Sequence, residues 1–239
     1  MPLLVGSDLV NLALLGVELF LLIVTITLLT LNRREQHGRD RLLDRLSAAT
    51  DVVSRQEYFV TVLGSIQGAR RTLCGVVTGS APPTEEGEVI HQVTNAISQA
   101  VAKGVKVQYL LPSAPDRLQM AQRYVNAGAE VRFNPEVLVS DARYMVVDNQ
   151  SVVIGVPERK GRNEPTRKGY VVPSESVASL FRDEFEKRWD SKEAKAYLAY
   201  LAEVVGKARQ SNPAISAELI ATNLKLDRKD VDSILKQLG

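Results

Sequence analysis

The chain opens with a long apolar segment, and shorter hydrophobic runs alternate with amphipathic segments behind it. Residues 9–31 are 23 positions that are almost wholly apolar. As a helix, this segment is about 34 Å long, which is enough to cross a hydrocarbon core of about 30 Å. No basic residue precedes it and no small-residue cleavage site follows it, so the pattern favours an uncleaved membrane anchor over a signal peptide.

Downstream of residue 50, the hydrophobic pattern alternates between strand-like and helix-like periods. Short apolar runs at 73–78, 105–111 and 129–133 predict buried strands. Helical patterns precede and separate them, and two of these helices are predicted to end at Gly104 and Gly128, where glycine commonly terminates a helix. Strands that alternate with helices predict an α/β fold, with a mostly parallel sheet that is flanked by helices and carries an antiparallel hairpin.

The hairpin and a closing helix complete the α/β pattern. Residues 137–155 contain two β-rich runs joined at Asp148 and Asn149, residue types that favour tight turns. Residues 174–189 then carry an apolar side chain at every fourth position, which predicts a helix that packs one face onto the sheet. These apolar positions are Val177, Phe181, Phe185 and Trp189.

A helical tail follows the α/β pattern. Residues 192–209 predict a long helix, which the segment 210–213 interrupts. Residues 215–224 and 227–238 predict two short helices that resemble the helix-turn-helix part of winged-helix domains. The second carries three basic and three acidic residues, whereas DNA binding requires surplus positive charge, so a packing or protein-contact module is favoured over a nucleic-acid module. These charged residues are Arg228, Lys229, Lys236, Asp227, Asp230 and Asp232.

These patterns divide the chain into four parts, without an internal repeat. They are the transmembrane anchor at 1–31, a charged juxtamembrane stalk at 32–50, the α/β domain at 51–190 and the helical tail at 191–239. Arginines of the stalk follow the span directly, so the positive-inside rule places the N-terminus outside and the later domains in the cytoplasm. The single cysteine, Cys74, excludes an internal disulfide and agrees with a reducing compartment.

Composition narrows the function only slightly. Hydrophobic residues make up 45% of the chain and charged residues 24%, which is ordinary for a globular protein. The formal net charge of +2 does not by itself indicate a nucleic-acid partner. The sequence gives no reason to expect a cofactor or a metal ion.

The predicted anchor carries a polar stripe. Asn11, Glu18 and Thr25 are spaced by seven residues and therefore fall close to one helical face. One interpretation is that Glu18 is protonated, or reaches towards the membrane surface, on a tolerant single-pass helix. The other is that the stripe faces a second copy of the chain or another membrane protein. Because polar groups stabilise helix association in membranes, the second interpretation is slightly favoured.

Residues 137–155 also resemble the signature hairpin of the phospholipase D superfamily, whose pattern is H-x-K-x4-D followed by a strand that ends in G-S-x-N. Asp141 stands at the histidine position, Arg143 at the lysine position and Asp148 at the aspartate position. The serine and asparagine are also replaced. Such units commonly end with a Phe-x3-Trp element, which Phe185 and Trp189 match. The resemblance covers 140 residues, from 51 to 190, and implies one half of the usual pseudo-symmetric unit.

The departures from the family pattern predict that the chain is not an enzyme. Covalent phosphoryl transfer in this family needs one imidazole to attack phosphorus and another to protonate the leaving oxygen. The two histidines of the chain, His37 and His91, both lie outside the hairpin. Arg143 retains a positive charge but does not shuttle protons. Residual phosphodiesterase activity, with Asp141 as an unorthodox nucleophile, is the remaining catalytic alternative; a local ion pair between Asp141 and Arg143 is the simpler role.

A basic loop follows the hairpin. Residues 158–168 contain five basic and two acidic residues, a net charge of +3. Together with Arg143, the loop is predicted to form an anion-binding mouth, and a solvated surface loop is the alternative. The basic residues of the loop are Arg159, Lys160, Arg162, Arg167 and Lys168.

Single-half relatives of this kind generally pair as homodimers, so the resemblance implies dimerisation. The sequence as a whole predicts a membrane-anchored, catalytically inactive phospholipase D-like protein. Its predicted role is a dimerisation scaffold or an accessory subunit of a membrane assembly, with an anionic ligand. The alternative is a membrane-tethered transcription regulator whose phospholipase D-like domain senses a ligand.

Overall fold

A computed structural model describes residues 51–53, 55–79, 87–138, 142–157 and 166–238. The predicted anchor with Asn11, Glu18 and Thr25 lies outside these residues, and so does the stalk. Asp141 and the loop residues Arg159, Lys160 and Arg162 also lie outside them. Among the helices that the structure describes, none combines the length and the apolar character that a membrane span needs.

The described residues form eight strands, seven α-helices and one 3-10 turn in a mixed α/β order. These elements are β1 Asp51–Val53, α1 Arg55–Gly68, β2 Thr72–Val76, α2 Gly87–Ala102, β3 Lys106–Pro112, the 3-10 turn Pro115–Arg117, α3 Leu118–Asn126, β4 Glu130–Asn134, β5 Arg143–Val147, β6 Ser151–Pro157, β7 Thr166–Val172, α4 Glu175–Trp189, β8 Lys195–Ala196, α5 Tyr197–Ser211, α6 Ala217–Leu224 and α7 Arg228–Leu238.

All eight strands belong to one sheet, in the order β1-β7-β6-β5-β2-β3-β4-β8. Of the seven strand pairings that the structure describes, only β2–β3 and β3–β4 are parallel. The prediction of a mostly parallel sheet was therefore wrong. Alternation of strands with helices accounts for β2, β3 and β4 alone, and the hairpin and its neighbours extend the sheet with antiparallel pairings.

Helices cover both faces of the sheet. Alternate residues of the strands, such as Leu73 and Val107, face a core that they share with α1, α2 and α3. The opposite face packs against α4, where Phe185 is 1% exposed and the ring of Phe181 lies 4.8 Å from that of Tyr144. The predicted apolar stripe of the closing helix is thereby confirmed as a sheet-packing face.

The tail continues the same core. Residues 195 and 196 form β8, which pairs antiparallel with β4, so the predicted helix at 192–209 begins only at Tyr197. The short strand covers the backbone of an edge strand, which outweighs local helix propensity. Beyond it, Tyr200 stacks on Phe133 with 4.2 Å between ring centroids, and Ile220 and Ile234 are buried in the same cluster.

The buried side-chain amide of Gln122 links α3 to the last helix through hydrogen bonds. Gln122 is 5% exposed; its Oε1 accepts from the backbone N–H of Asp227 at 3.1 Å, and its Nε2 donates to Asp230 Oδ2 at 2.7 Å. The hydroxyl of Tyr197 donates to the same carboxylate oxygen at 3.0 Å. Asp230, one of the three acidic residues in the last predicted helix, therefore hydrogen-bonds to residues of the core. This packing supports the packing-module interpretation, and nucleic-acid binding stays a prediction.

Candidate anion-binding site

The hairpin that carries the motif positions is a regular antiparallel pair. Arg143 is opposite Gly155, and Val147 is opposite Ser151. Between the strands, Asp148 and Asn149 have φ angles of 50° and 59°, and the N–H of Gln150 donates to the carbonyl of Val147 at 2.9 Å. Left-handed conformations suit Asp and Asn better than most residues, which confirms the turn prediction.

Asp148 is a structural residue in this hairpin. Its carboxylate accepts from the backbone N–H groups of Arg70, Arg71 and Thr72 at 2.8, 2.7 and 2.9 Å. Partial burial acts to raise the pKa of this carboxyl, but the three N–H donors outweigh it, and the pKa of Asp148 is lowered. Asp148 therefore holds the hairpin tip to the segment before β2. It lies five residues along an extended strand from Arg143, which is roughly 16 Å.

Arg143 begins β5 at the other end of the hairpin. Its Nε donates to Thr78 Oγ1 at 3.3 Å, just beyond the end of β2. The guanidinium lies against Gly79, where an added Cβ would be 3.1 Å from its Cζ. Burial lowers the pKa of Arg143, and the positive charge of Arg117 lowers it further. The group remains charged at neutral pH because the ordinary pKa of arginine is so high.

Two tyrosines, the buried Tyr58 and the half-buried Tyr124, lie near Arg143. Burial raises the pKa of Tyr58 to about 12 and that of Tyr124 to about 12, although the charge of Arg143 acts in the opposite direction on both. Both phenols are therefore protonated at neutral pH, so each can donate a hydrogen bond to an anion. Neither phenol is a ready proton acceptor.

Arg117 is the residue of this site that the sequence pattern did not single out. It ends the 3-10 turn behind β3, its side chain is 2% exposed, and its Nη1 lies 2.7 Å from Asp116 Oδ2. Burial lowers its pKa, and Asp116 opposes that effect. The available signal was its position directly after a predicted parallel strand, because the carboxyl ends of such strands meet at one edge of a sheet.

The structure divides the predicted site residues between two ends of the hairpin. Arg143 lies with Arg117, Thr78 and the two tyrosines, whereas Asp148 lies at the hairpin tip. Arg167 and Lys168 belong to β7, and Lys168 pairs with Val156, one position beyond the level of Arg143 and Gly155. Their backbone thus lies at the Arg143 end of the sheet. His91 is exposed on α2 and contributes nothing to this site.

This arrangement is suited to holding an anion. Two guanidinium groups and two phenol hydroxyls supply charge and hydrogen-bond donors. Among the described residues that form the site, Asp116 is the single carboxylate, and it is already paired with Arg117. Across the described ranges, no three His, Cys, Asp or Glu side chains come together in a way that could hold a metal ion.

The fold resembles that of several solved structures. Nuc from Salmonella typhimurium, a phospholipase D family member, is 17% identical with a TM-score of 0.48, over 62% of this chain and 97% of Nuc. NucT from Helicobacter pylori is 11% identical with a TM-score of 0.45, over 62% and 98%. The archaeal chromatin protein TrmBL2 is 15% identical with a TM-score of 0.43, over 66% and 61%.

The expected likeness to phospholipase D family structures is therefore found. No protein-family model matches the sequence, and no curated protein matches it.

Proposed function

We propose that this chain is a membrane-anchored, non-catalytic protein that serves as a dimerising scaffold or accessory subunit of a membrane assembly. Its α/β domain binds an anion at the Arg143 end of the sheet. The observation that carries the proposal is that the buried Arg117 lies close enough to the half-buried Arg143 for its charge to lower the pKa of Arg143, at the strand ends where Arg143 donates to Thr78.

Electrostatics supports an anionic ligand at this edge. Partial burial of the Arg143 charge close to that of Arg117 costs free energy, as the lowered pKa of Arg143 reflects. A phosphate or carboxylate group would offset that cost through charge-assisted hydrogen bonds. Arg117 is a further partner for Arg143 that the described residues support, and the predicted contribution of the basic loop stays a prediction.

The same residues support binding without turnover. Hydrolysis of a phosphodiester by the family route requires a nucleophile at phosphorus and an acid for the leaving oxygen. Arginine and high-pKa tyrosine fill neither role well at neutral pH. The sequence places Asp141 where the family has its histidine, and a carboxylate repels an anionic substrate.

A titration of the whole chain with dimethyl phosphate, followed by calorimetry, tests the site. Arg143→Gln and Arg117→Gln are each expected to weaken binding about tenfold or more, since each removes a charge-assisted hydrogen bond. Arg209→Gln, at an exposed position of α5, is the matched control and should leave the affinity unchanged. Equal affinities for all four proteins would contradict the proposal. Thermal midpoints show whether the buried Arg117 variant folds, and Arg117→Lys is its conservative companion.

The anchor is proposed to mediate association through its polar stripe. Glu18→Leu removes the central polar group, so the whole chain in detergent is expected to shift from dimer towards monomer in sedimentation or cross-linking experiments. Thr27→Leu removes a polar group from another side of the same predicted helix and should have little effect. A chain that is monomeric and free of partners before any substitution would count against this part of the proposal.

A further inference from the structure

A groove between α2 and α3 lies apart from the residues of the Arg143 site. Its volume is about 500 Å³, within the range of small-molecule sites. Besides Thr94, five polar side chains line it: His91, Asn95 and Ser98 from α2, and Arg123 and Asn126 from α3. In the part of the chain that the structure describes, none of these five side chains hydrogen-bonds to another protein group.

Helix periodicity brings the α2 residues to the groove. Positions 91, 95 and 98 follow the i, i+4, i+7 pattern and form one face of α2. The neighbouring face buries Ala96, Ile97 and Ala100 in the core, so the orientation of the helix is fixed. Arg123 and Asn126 come from the last turn of α3, which is held by the buried Gln122. The polar groups thus stand on two packed helices.

The charges around the groove favour an anion. Its lining contains no Asp or Glu over the described residues, while Arg123 offers a guanidinium. Gly87, the first described residue of α2, also lines the groove. The amides and the serine hydroxyl can both donate and accept, which suits ligand hydroxyls. Thr94 is already bonded to the carbonyls of Ile90 and His91 at 3.0 Å.

We propose that the α2–α3 groove binds a small polyhydroxy anion, with Arg123 holding the phosphate or carboxylate and Asn95, Ser98 and Asn126 holding hydroxyl groups. The residues that line this groove include none that the Arg143 site uses.

Calorimetric titration of the whole chain tests the groove, with glycerol 3-phosphate, glycerate and glycerol as probes. The chain carries Arg143→Gln throughout, so that the other anion site does not contribute. Saturable binding of glycerol 3-phosphate or glycerate, but not glycerol, is expected, and comparison of the two anions distinguishes a phosphate from a carboxylate ligand. Absence of saturable binding by either anion, or glycerol binding of equal strength, would overturn the proposal.

Two added substitutions locate the ligand. Arg123→Gln is expected to weaken anion binding about tenfold, and Asn95→Ala, at an exposed position, about threefold. Arg209→Gln should leave binding unchanged. Anion binding that keeps its full strength in both variants would place the ligand outside the groove and contradict the proposal. If Arg123→Gln lowers the thermal midpoint, Asn95→Ala still tests whether the groove binds the anion.

Discussion

Asp148 joins the tip of the β5–β6 hairpin to the segment that precedes β2. The sequence allowed two interpretations of Asp148: it is the remnant of a catalytic motif, or it is present because it favours a turn. Three backbone N–H groups converge on its carboxylate, and its own N–H donates to the carbonyl of Thr72 at 2.9 Å. The turn propensity could be predicted locally, but the three donors come from a segment more than 70 positions away.

Asp148→Asn is expected to lower the free energy of unfolding by roughly 1–3 kcal/mol, because the amide accepts fewer hydrogen bonds and carries no charge. The folded-state pKa of Asp148 is lowered from 3.8, so its contribution is present above the unfolded value and is lost as pH falls through the folded value. Denaturant unfolding at neutral pH and in this acid window measures both effects.

The difference between the native chain and Asp148→Asn should therefore shrink as the pH falls through that window. Asp183→Asn, at an exposed position of α4, is the control and should have almost no effect. A neutral Asp148→Asn substitution would show that the carboxylate does not hold the hairpin.

Most helices and strands follow local signals, and the exceptions have a physical cause. Gly104 and Gly128 adopt φ angles of 86° and 93° just beyond α2 and α3. Such positive angles at the end of a helix favour glycine, because glycine has no Cβ. Residues 195 and 196 read as helical in sequence, but they pair with β4 instead. A two-residue strand depends on the partner strand beside it, so no local pattern reveals it.

Gln122 is expected to control how firmly α7 is held. Gln122→Leu removes both hydrogen bonds to the start of α7 and leaves the Asp227 N–H without this acceptor. Amide hydrogen exchange in α7 should accelerate, while exchange in β2 and β3 should stay close to that of the native chain. Gln99→Leu, at an exposed position of α2, is the matched control. Unchanged exchange in α7 would mean that apolar packing alone holds this helix.

At the scale of the whole molecule, the groups of the proposed Arg143 site come together at one edge of a mixed sheet. Parallel β2 and β3 end there and lead to Thr78 and Arg117, while antiparallel β5 begins there with Arg143. Arg143 could be predicted because a motif surrounds it. Arg117 is one of 30 basic residues and no motif surrounds it, so its position after a predicted parallel strand was the single signal for it.

We propose above that this edge of the sheet holds a phosphodiester-like anion without cleaving it. The most direct measurement follows release of nitrophenol from bis(p-nitrophenyl) phosphate by the whole chain, beside its Asp141→Ala and Arg143→Gln variants. No release above the buffer rate is expected from any of the three proteins. Release by the native chain that disappears with Asp141→Ala would contradict the proposal.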